Sequence, residues 1–203
     1  WLHTLRKKIF GGWVSIGDFQ LTEILSNLNV DFIGFDFEHT PLTVENFLQQ
    51  ITLCHSKNIL CLSRIPDIDK TIIKKLLDSG ADGIIAPNIE SVDQIKELNS
   101  FIKYPKNGLR GYCISKASNY GFNFDNYTKN WNKNSILIIQ IESINAVENI
   151  EKLVSQKEVD GVMIGPYDLS GSLGVTGKMY HPKVRLACSK VISACKKYKK
   201  SCG

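Results

Sequence analysis

The sequence has no apolar run of membrane-spanning length. After the basic residues Arg6, Lys7 and Lys8, the stretch from Ile9 to Ile16 is broken by Gly11 and Gly12 and closed by Asp18. It is too short for a signal-peptide core with its cleavage site, or for the roughly 20 apolar residues of a bilayer helix, so no membrane is expected among the partners. Nor is there a strong charge imbalance: 25 Lys and Arg against 20 Asp and Glu leave +5, enough to attract small anions but not the footprint of a nucleic-acid binder. Much of the excess is local, at the two chain ends, where Lys196, Lys197, Lys199 and Lys200 mirror the N-terminal cluster, and no aromatic-basic RNA motif accompanies it. The cysteines Cys54, Cys61, Cys113, Cys188, Cys195 and Cys202 lack C-x-x-C pairing and histidines at zinc spacing, so they read as free thiols buried as small hydrophobes. Free thiols suit a reducing compartment, and the expected location is the cytoplasm. A further absence concerns phosphates: the first strand runs through Val14, Ser15 and Ile16 into Gly17 and Asp18 without a G-x-G-x-x-G turn, which argues against a dinucleotide-binding doubly wound sheet.

What the chain does have is a repeated alternation of short β-branched or aromatic runs with longer amphipathic stretches. Over 203 residues, 43% hydrophobic and 22% charged, this fits one domain with an ordinary core. Strands are expected at 12–16, 32–37, 59–65, 83–87, 136–141 and 159–164. Helical spacing groups Val44, Phe47, Leu48 and Ile51 on one face, and Val184, Ala187, Cys188, Val191, Ile192 and Cys195 on another. Ser91 and Gln94 have capping-box spacing. From Tyr104 to Trp131 the period fades into a functional loop with a short helix.

Strands alternating with helices must run parallel, so the class is α/β. Polar residues recur just past the ends of several strands: Asp36, Glu38 and His39, then Arg64, then Gln140 and Glu142, then Asp168. That scatter is the habit of a TIM-type (β/α)8 barrel, which presents its chemistry at the C-terminal ends of its strands. Such a barrel has eight strands and about 250 residues. Six βα units and a stub at Ser201 to Gly203 are legible, so residues 1–203 are expected to form a single barrel domain truncated after the sixth unit, with strands seven and eight missing.

Gln140 and Glu142 alternate onto one side of a strand end, and Gly165-Pro166-Tyr167-Asp168 brings a second acid after the next strand. Two carboxylates without thiolate or imidazole suit Mg2+, Mn2+ or Co2+ rather than structural zinc. Taken singly, Glu142 is an acid opening a helix and Asp168 a turn cap; taken as a pair on adjacent strands they point to a cation. The stretch from Gly165 to Gly174 reads as a glycine-rich loop whose N–H groups would cradle a carboxylate. His39 is the best base in the chain, lying beside acids that would orient it. Arg64 is either half of an internal salt bridge or a fixed cation for an anionic oxygen.

Asp36-Phe37-Glu38-His39-Thr40-Pro41, Arg64-Ile65-Pro66, Asp78-Ser79-Gly80-Ala81-Asp82-Gly83, Gly108-Leu109-Arg110-Gly111, Gln140-Ile141-Glu142 and Gly165-Pro166-Tyr167-Asp168-Leu169-Ser170 occur here in an order that resembles the HpcH/HpaI aldolases, class II pyruvate aldolases of aromatic-acid and sugar-acid catabolism. The family usually has Gly where Thr40 stands. The resemblance implies that Glu142 and Asp168 bind a divalent metal, that Gln140 and the backbone around Tyr167 and Asp168 hold pyruvate, and that His39 is the base. It further implies that Arg64 stabilises developing negative charge and that Asp78 raises the basicity of His39. Asp78 ends the third helix, away from His39 in a simple barrel, so it is expected to serve a neighbouring subunit's site; the resemblance implies a homo-oligomer, a trimer or hexamer. The expected reaction is reversible cleavage of a 4-hydroxy-2-oxo acid to pyruvate and an aldehyde. The alternatives are a citrate-lyase-like or malyl-CoA-lyase-like enzyme acting on CoA thioesters, or an inactive metal-binding barrel fragment. No lysine stands at a strand end, which disfavours a Schiff-base route.

Overall fold

The β-branched and aromatic runs form strands, and the amphipathic stretches between them form helices, in the order β1 (Gly11–Val14), α1 (Phe19–Ser26), β2 (Phe32–Asp36), α2 (Val44–Ser56), β3 (Leu60–Arg64), α3 (Lys70–Asp78), β4 (Gly83–Ala86), α4 (Val92–Ile102), α5 (Phe124–Asn134), β5 (Ile136–Ile141), α6 (Ile144–Glu148), α7 (Ile150–Val154), β6 (Gly161–Ile164), α8 (Pro166–Ser172), α9 (Pro182–Lys197) and β7 (Ser201–Cys202). This computed structural model describes residues 8–203; Trp1, His3, Arg6 and Lys7 lie outside the described residues. Two compact units are distinguished: residues 8–85 with 99–136, and residues 86–98 with 137–203.

In the first unit β1 to β4 pair in chain order and parallel. The register sets Trp13 beside Gly34, where an added Cβ would fall 2.5 Å from the Trp13 ring; glycine at 34 lets the indole lie across the strand. The same ladder places Asp36 directly beside Arg64. In the second unit β5 to β7 pair parallel in chain order, with Ile141 opposite Ile164 and Val162 opposite Cys202. The class is therefore α/β with parallel strands. The two residues of β7 lie where the sequence places the start of a seventh strand.

Most of the other strands are a residue or two shorter than the pattern suggests. Ladder bonding continues past some of their ends, since Phe37 N–H still donates to Arg64 O at 2.9 Å and Ile65 N–H to Ile85 O at 3.1 Å. β4 is buried along its whole length, as expected of a strand covered on both faces.

The helix faces need correcting. In α2 the buried residues are Phe47, Gln50, Ile51 and Cys54, whereas Leu48 is exposed. Gln50 is buried because its side-chain oxygen accepts from Thr22 Oγ1 at 2.8 Å, pinning α1 to α2. In α9 the core face is Val184, Ala187, Val191, Ala194 and Cys195, with Ile192 outside it. The Ser91–Gln94 capping box is present, with Ser91 N–H on Gln94 Oε1 at 3.0 Å and Gln94 N–H on Ser91 Oγ at 3.3 Å. All six cysteines are free; Cys54, Cys61 and Cys195 are buried, while Cys113 and Cys202 are exposed. Burial as small hydrophobes thus describes only part of the set.

The stretch between Tyr104 and Trp131 carries a 3-10 turn at Lys116–Ser118 and then the 11-residue α5. It is anchored by Arg110, whose guanidinium lies 4.5 Å from the Trp131 ring centre and 4.7 Å from that of Tyr104. Trp131 Nε1 donates to Ile102 O at 2.7 Å. Apolar periodicity is weak there because one buried cation and its aromatic cage replace an aliphatic face. Among the described residues no helix is long and apolar enough to cross a membrane.

Candidate active site

In the second unit β5 delivers two polar side chains into buried positions. Gln140 and Glu142 are 4% and 6% exposed, which for a carboxylate demands hydrogen-bond partners. Both are supplied: Gln140 Nε2 donates to Glu142 Oε2, and Asn88 N–H donates to Glu142 Oε1 at 2.6 Å. Asn88 reaches that position from a left-handed conformation, φ 55°, which asparagine tolerates better than most residues. These donors fix the orientation of the Glu142 side chain.

The adjacent strand closes the other side. Gly165 N–H donates to Ile141 O at 3.0 Å. A Cβ at 165 would sit 2.9 Å from both Cβ and Oε2 of Glu142 and 3.3 Å from Gln140 Nε2. The glycine therefore admits the Gln140–Glu142 pair against the backbone. Three residues on, Asp168 is exposed in the first turn of α8. The segment expected as a glycine-rich loop is thus mainly a helix, started by Pro166, whose fixed φ suits a first helical position. Tyr167 and Asp168 contribute N–H groups in that first turn, where helix geometry supplies no carbonyl partner. Ser170 Oγ accepts from Gly177 N–H at 2.8 Å and Ser172 Oγ from Ile144 N–H at 2.9 Å, tying α8 to the following turn and to α6.

The first unit carries a second polar cluster, at the C-terminal ends of β2 and β3. Arg64 grips Asp36 with two donors, Nε to Oδ1 at 2.9 Å and Nη2 to Oδ2 at 2.6 Å, and its Nε lies 3.2 Å from Glu38 Oε2. The guanidinium also sits 5.0 Å from the centre of the Trp13 ring. Burial pushes the Asp36 carboxyl up, but the hydrogen bonds and charge of Arg64, with the N–H groups of Glu38 and His39, hold it below its ordinary value. The salt bridge offered by the sequence as one role for Arg64 is present. His39 is largely exposed, its Nε2 3.5 Å from Glu38 Oε1.

Asp78, at the end of α3, accepts from Arg110 Nη2 at 2.9 Å. Arg110 is 2% exposed and was not singled out for chemistry in the sequence; a lone cation in Gly108-Leu109-Arg110-Gly111 was the available signal. Asn88 was also missed, because a backbone donor leaves no mark in side-chain chemistry.

Parallel βα architecture, acids past the strand ends and a carboxylate held by fixed donors define an α/β protein with polar groups gathered at the C-terminal ends of its strands. Residues 10–202 match the family model described as HpcH/HpaI aldolase/citrate lyase. The chain is 35% identical over 199 residues to a hydroxypyruvate/pyruvate aldolase of Roseobacter denitrificans, covering 94% of this chain and 77% of the relative. It is 31% identical over 193 residues to a 5-keto-4-deoxy-D-glucarate aldolase of Klebsiella pneumoniae, covering 95% and 75%. Among solved structures, an HpcH/HpaI aldolase/citrate lyase family protein from Burkholderia cenocepacia superposes with a TM-score of 0.94 at 28% identity, covering 100% of this chain and 81% of that one. An HpcH/HpaI aldolase from Desulfitobacterium hafniense gives 0.89 at 28%, covering 97% and 77%. The chain belongs to the HpcH/HpaI aldolase/citrate lyase family.

Proposed function

We propose that this protein is a metal-dependent aldolase that cleaves a 4-hydroxy-2-oxo acid to pyruvate and an aldehyde, reversibly, and works as a homo-oligomer in the cytoplasm. The observation that carries the reading is the buried Gln140–Glu142 pair, with Glu142 held between a side-chain amide and a backbone N–H in the unit that also contains Asp168. Glu142 and Asp168 are the residues assigned to hold a divalent cation, Mg2+, Mn2+ or Co2+, and their all-oxygen donor set fits a hard ion. Such an ion supplies Lewis-acid polarisation of the 2-oxo and carboxylate oxygens.

The chain's own groups do the rest. Gln140 and the N–H groups of Tyr167 and Asp168 bind the pyruvate moiety and orient it. His39 removes the proton from the C4 hydroxyl; as the aldehyde carbonyl forms, the C3–C4 bond breaks and its electron pair passes to the enolate of pyruvate, which is then protonated at C3. Arg64, already oriented by Asp36, faces negative charge as it develops. Asp78 is assigned to the His39 of a second copy, where a carboxylate raises the basicity of the imidazole.

The test is pyruvate release from 4-hydroxy-2-oxo acids of graded length in a coupled assay, with each metal in turn. Glu142→Ala and Asp168→Ala are expected to lower turnover by about 10²–10³ or more, and EDTA to match them, with recovery on adding metal back. Turnover that survives thorough metal removal would reject the reading, and saturable binding of acetyl-CoA would turn it toward the thioester enzymes.

A further inference from the structure

The amino-terminal ends of β3 and β4 carry a separate cluster that the proposed reaction does not use. Cys61 is the second residue of β3, Asp82 immediately precedes β4, and Cys54 and His55 lie in the last turn of α2. His55 Nε2 is 2.9 Å from Asp82 Oδ2, which also accepts Cys61 N–H at 2.8 Å. One ligand atom each from His55, Cys61 and Asp82 lie within 4.8 Å of one another. The Cys61 sulfur also reaches Ile59 O at 3.9 Å, while Cys54 sits one residue before His55 on the same helix and outside the trio. Sequence spacing hides this group: Cys61 follows His55, and Asp82 comes only after a further helix.

We propose that His55, Cys61 and Asp82 form a three-ligand binding site for a zinc-class divalent cation. The donor chemistry selects the ion. A thiolate, an imidazole and a carboxylate, with water in the fourth tetrahedral position, are a set suited to Zn2+ and to its spectroscopic substitute Co2+, and poorly suited to Mg2+ or Ca2+. Bond lengths of about 2.0–2.3 Å place tetrahedral donors roughly 3.5 Å apart, so donors that already lie within 4.8 Å of one another need only a small adjustment. The mobile partner is at hand, since the His55 side chain is 36% exposed, and its ring borders Gly80, where a Cβ would stand 3.7 Å from Cε1. Asp82 already holds its place through the Cys61 backbone. Metal binding at a thiol is accompanied by proton release.

The site is independent of the aldolase reading, and a spectrum separates the two. Reduced full-length protein, saturated with Mg2+ to fill an all-oxygen site, is titrated with Co2+. The expected result is one equivalent giving intense tetrahedral visible bands and a sulfur-to-cobalt charge-transfer band, which an octahedral oxygen site does not produce. Zn2+ is expected to bleach these bands. Cys61→Ser should remove most of the charge-transfer intensity, and His55→Ala, at a surface residue, should weaken Co2+ binding by about 10–100-fold or more; both should leave Mg2+-supported pyruvate release unchanged. Absence of a charge-transfer band in the reduced wild-type protein overturns the proposal, as does a band and affinity unaltered in His55→Ala.

Discussion

Gly165→Ala moves the carboxylate of Glu142 without removing it. The φ of residue 165 is −95°, which alanine adopts freely, so the substitution acts through space alone. Its Cβ would lie 2.9 Å from Glu142 Cβ and Oε2, where ordinary contact begins near 3.4 Å. Something must yield by about 0.5 Å, and Glu142 Cβ is too close to the β5 backbone to swing away. Overpacking of this kind costs about 1–3 kcal/mol of stability, leaving a folded protein. A catalytic group misplaced by about 1 Å costs roughly 10²-fold in rate, so half that displacement should cost about tenfold, with a weaker apparent affinity for Mn2+. The measurements are thermal unfolding, to confirm the fold, and coupled pyruvate release as a function of Mn2+ concentration. A folded Gly165→Ala protein with wild-type turnover and wild-type metal dependence would show that Glu142 does not hold the metal.

Arg64→Lys keeps a cation but loses the two-pronged grip on Asp36, and turnover should fall by about 10²-fold; a near-normal rate would leave Arg64 a purely structural part. Arg64→Met strands Asp36, 3% exposed, and should cost about 3–5 kcal/mol in urea unfolding. Because Arg64 holds the folded-state pKa of Asp36 below its unfolded value, that stabilisation is present above the ordinary carboxylate pKa of about 4 and is lost as pH falls through the lowered value. The gap between wild type and Arg64→Met should therefore narrow in acid, and a gap independent of pH would refute the linkage. Arg110→Met leaves Asp78 without its partner and opens the aromatic cage, so melting should drop with α5 loosening first, read as faster amide exchange at Phe124 to Asn134. Uniform exchange across α5 and α2 would contradict that order.

The strand-and-helix alternation was legible because period 2 and period 3.6 are written directly in where apolar residues fall. Six strand positions and the place of β7 follow from it. The Leu48 and Gln50 exchange in α2 was not legible, because a buried amide looks polar until its partner, Thr22, is brought across from another helix. Nor was the extent of α5, whose core contact is made by Trp131 and a cation 21 residues earlier, Arg110. Among site residues, Gln140, Glu142 and Arg64 could be read from polar side chains at apolar strand ends, whereas Asn88 contributes only an N–H.

The sequence by itself determined the α/β class, the parallel pairing and the family, since each depends on local pattern or on short motifs kept in order. Tertiary structure alone decided which charges are paired: Arg64 with Asp36, Arg110 with Asp78, and His55 with Asp82 beside the Cys61 thiol. The reason is physical. Apolar periodicity is a one-dimensional signal, whereas a buried charge is stabilised by whichever partner the fold sets within about 3 Å, and those partners here stand 27 to 32 residues apart along the chain.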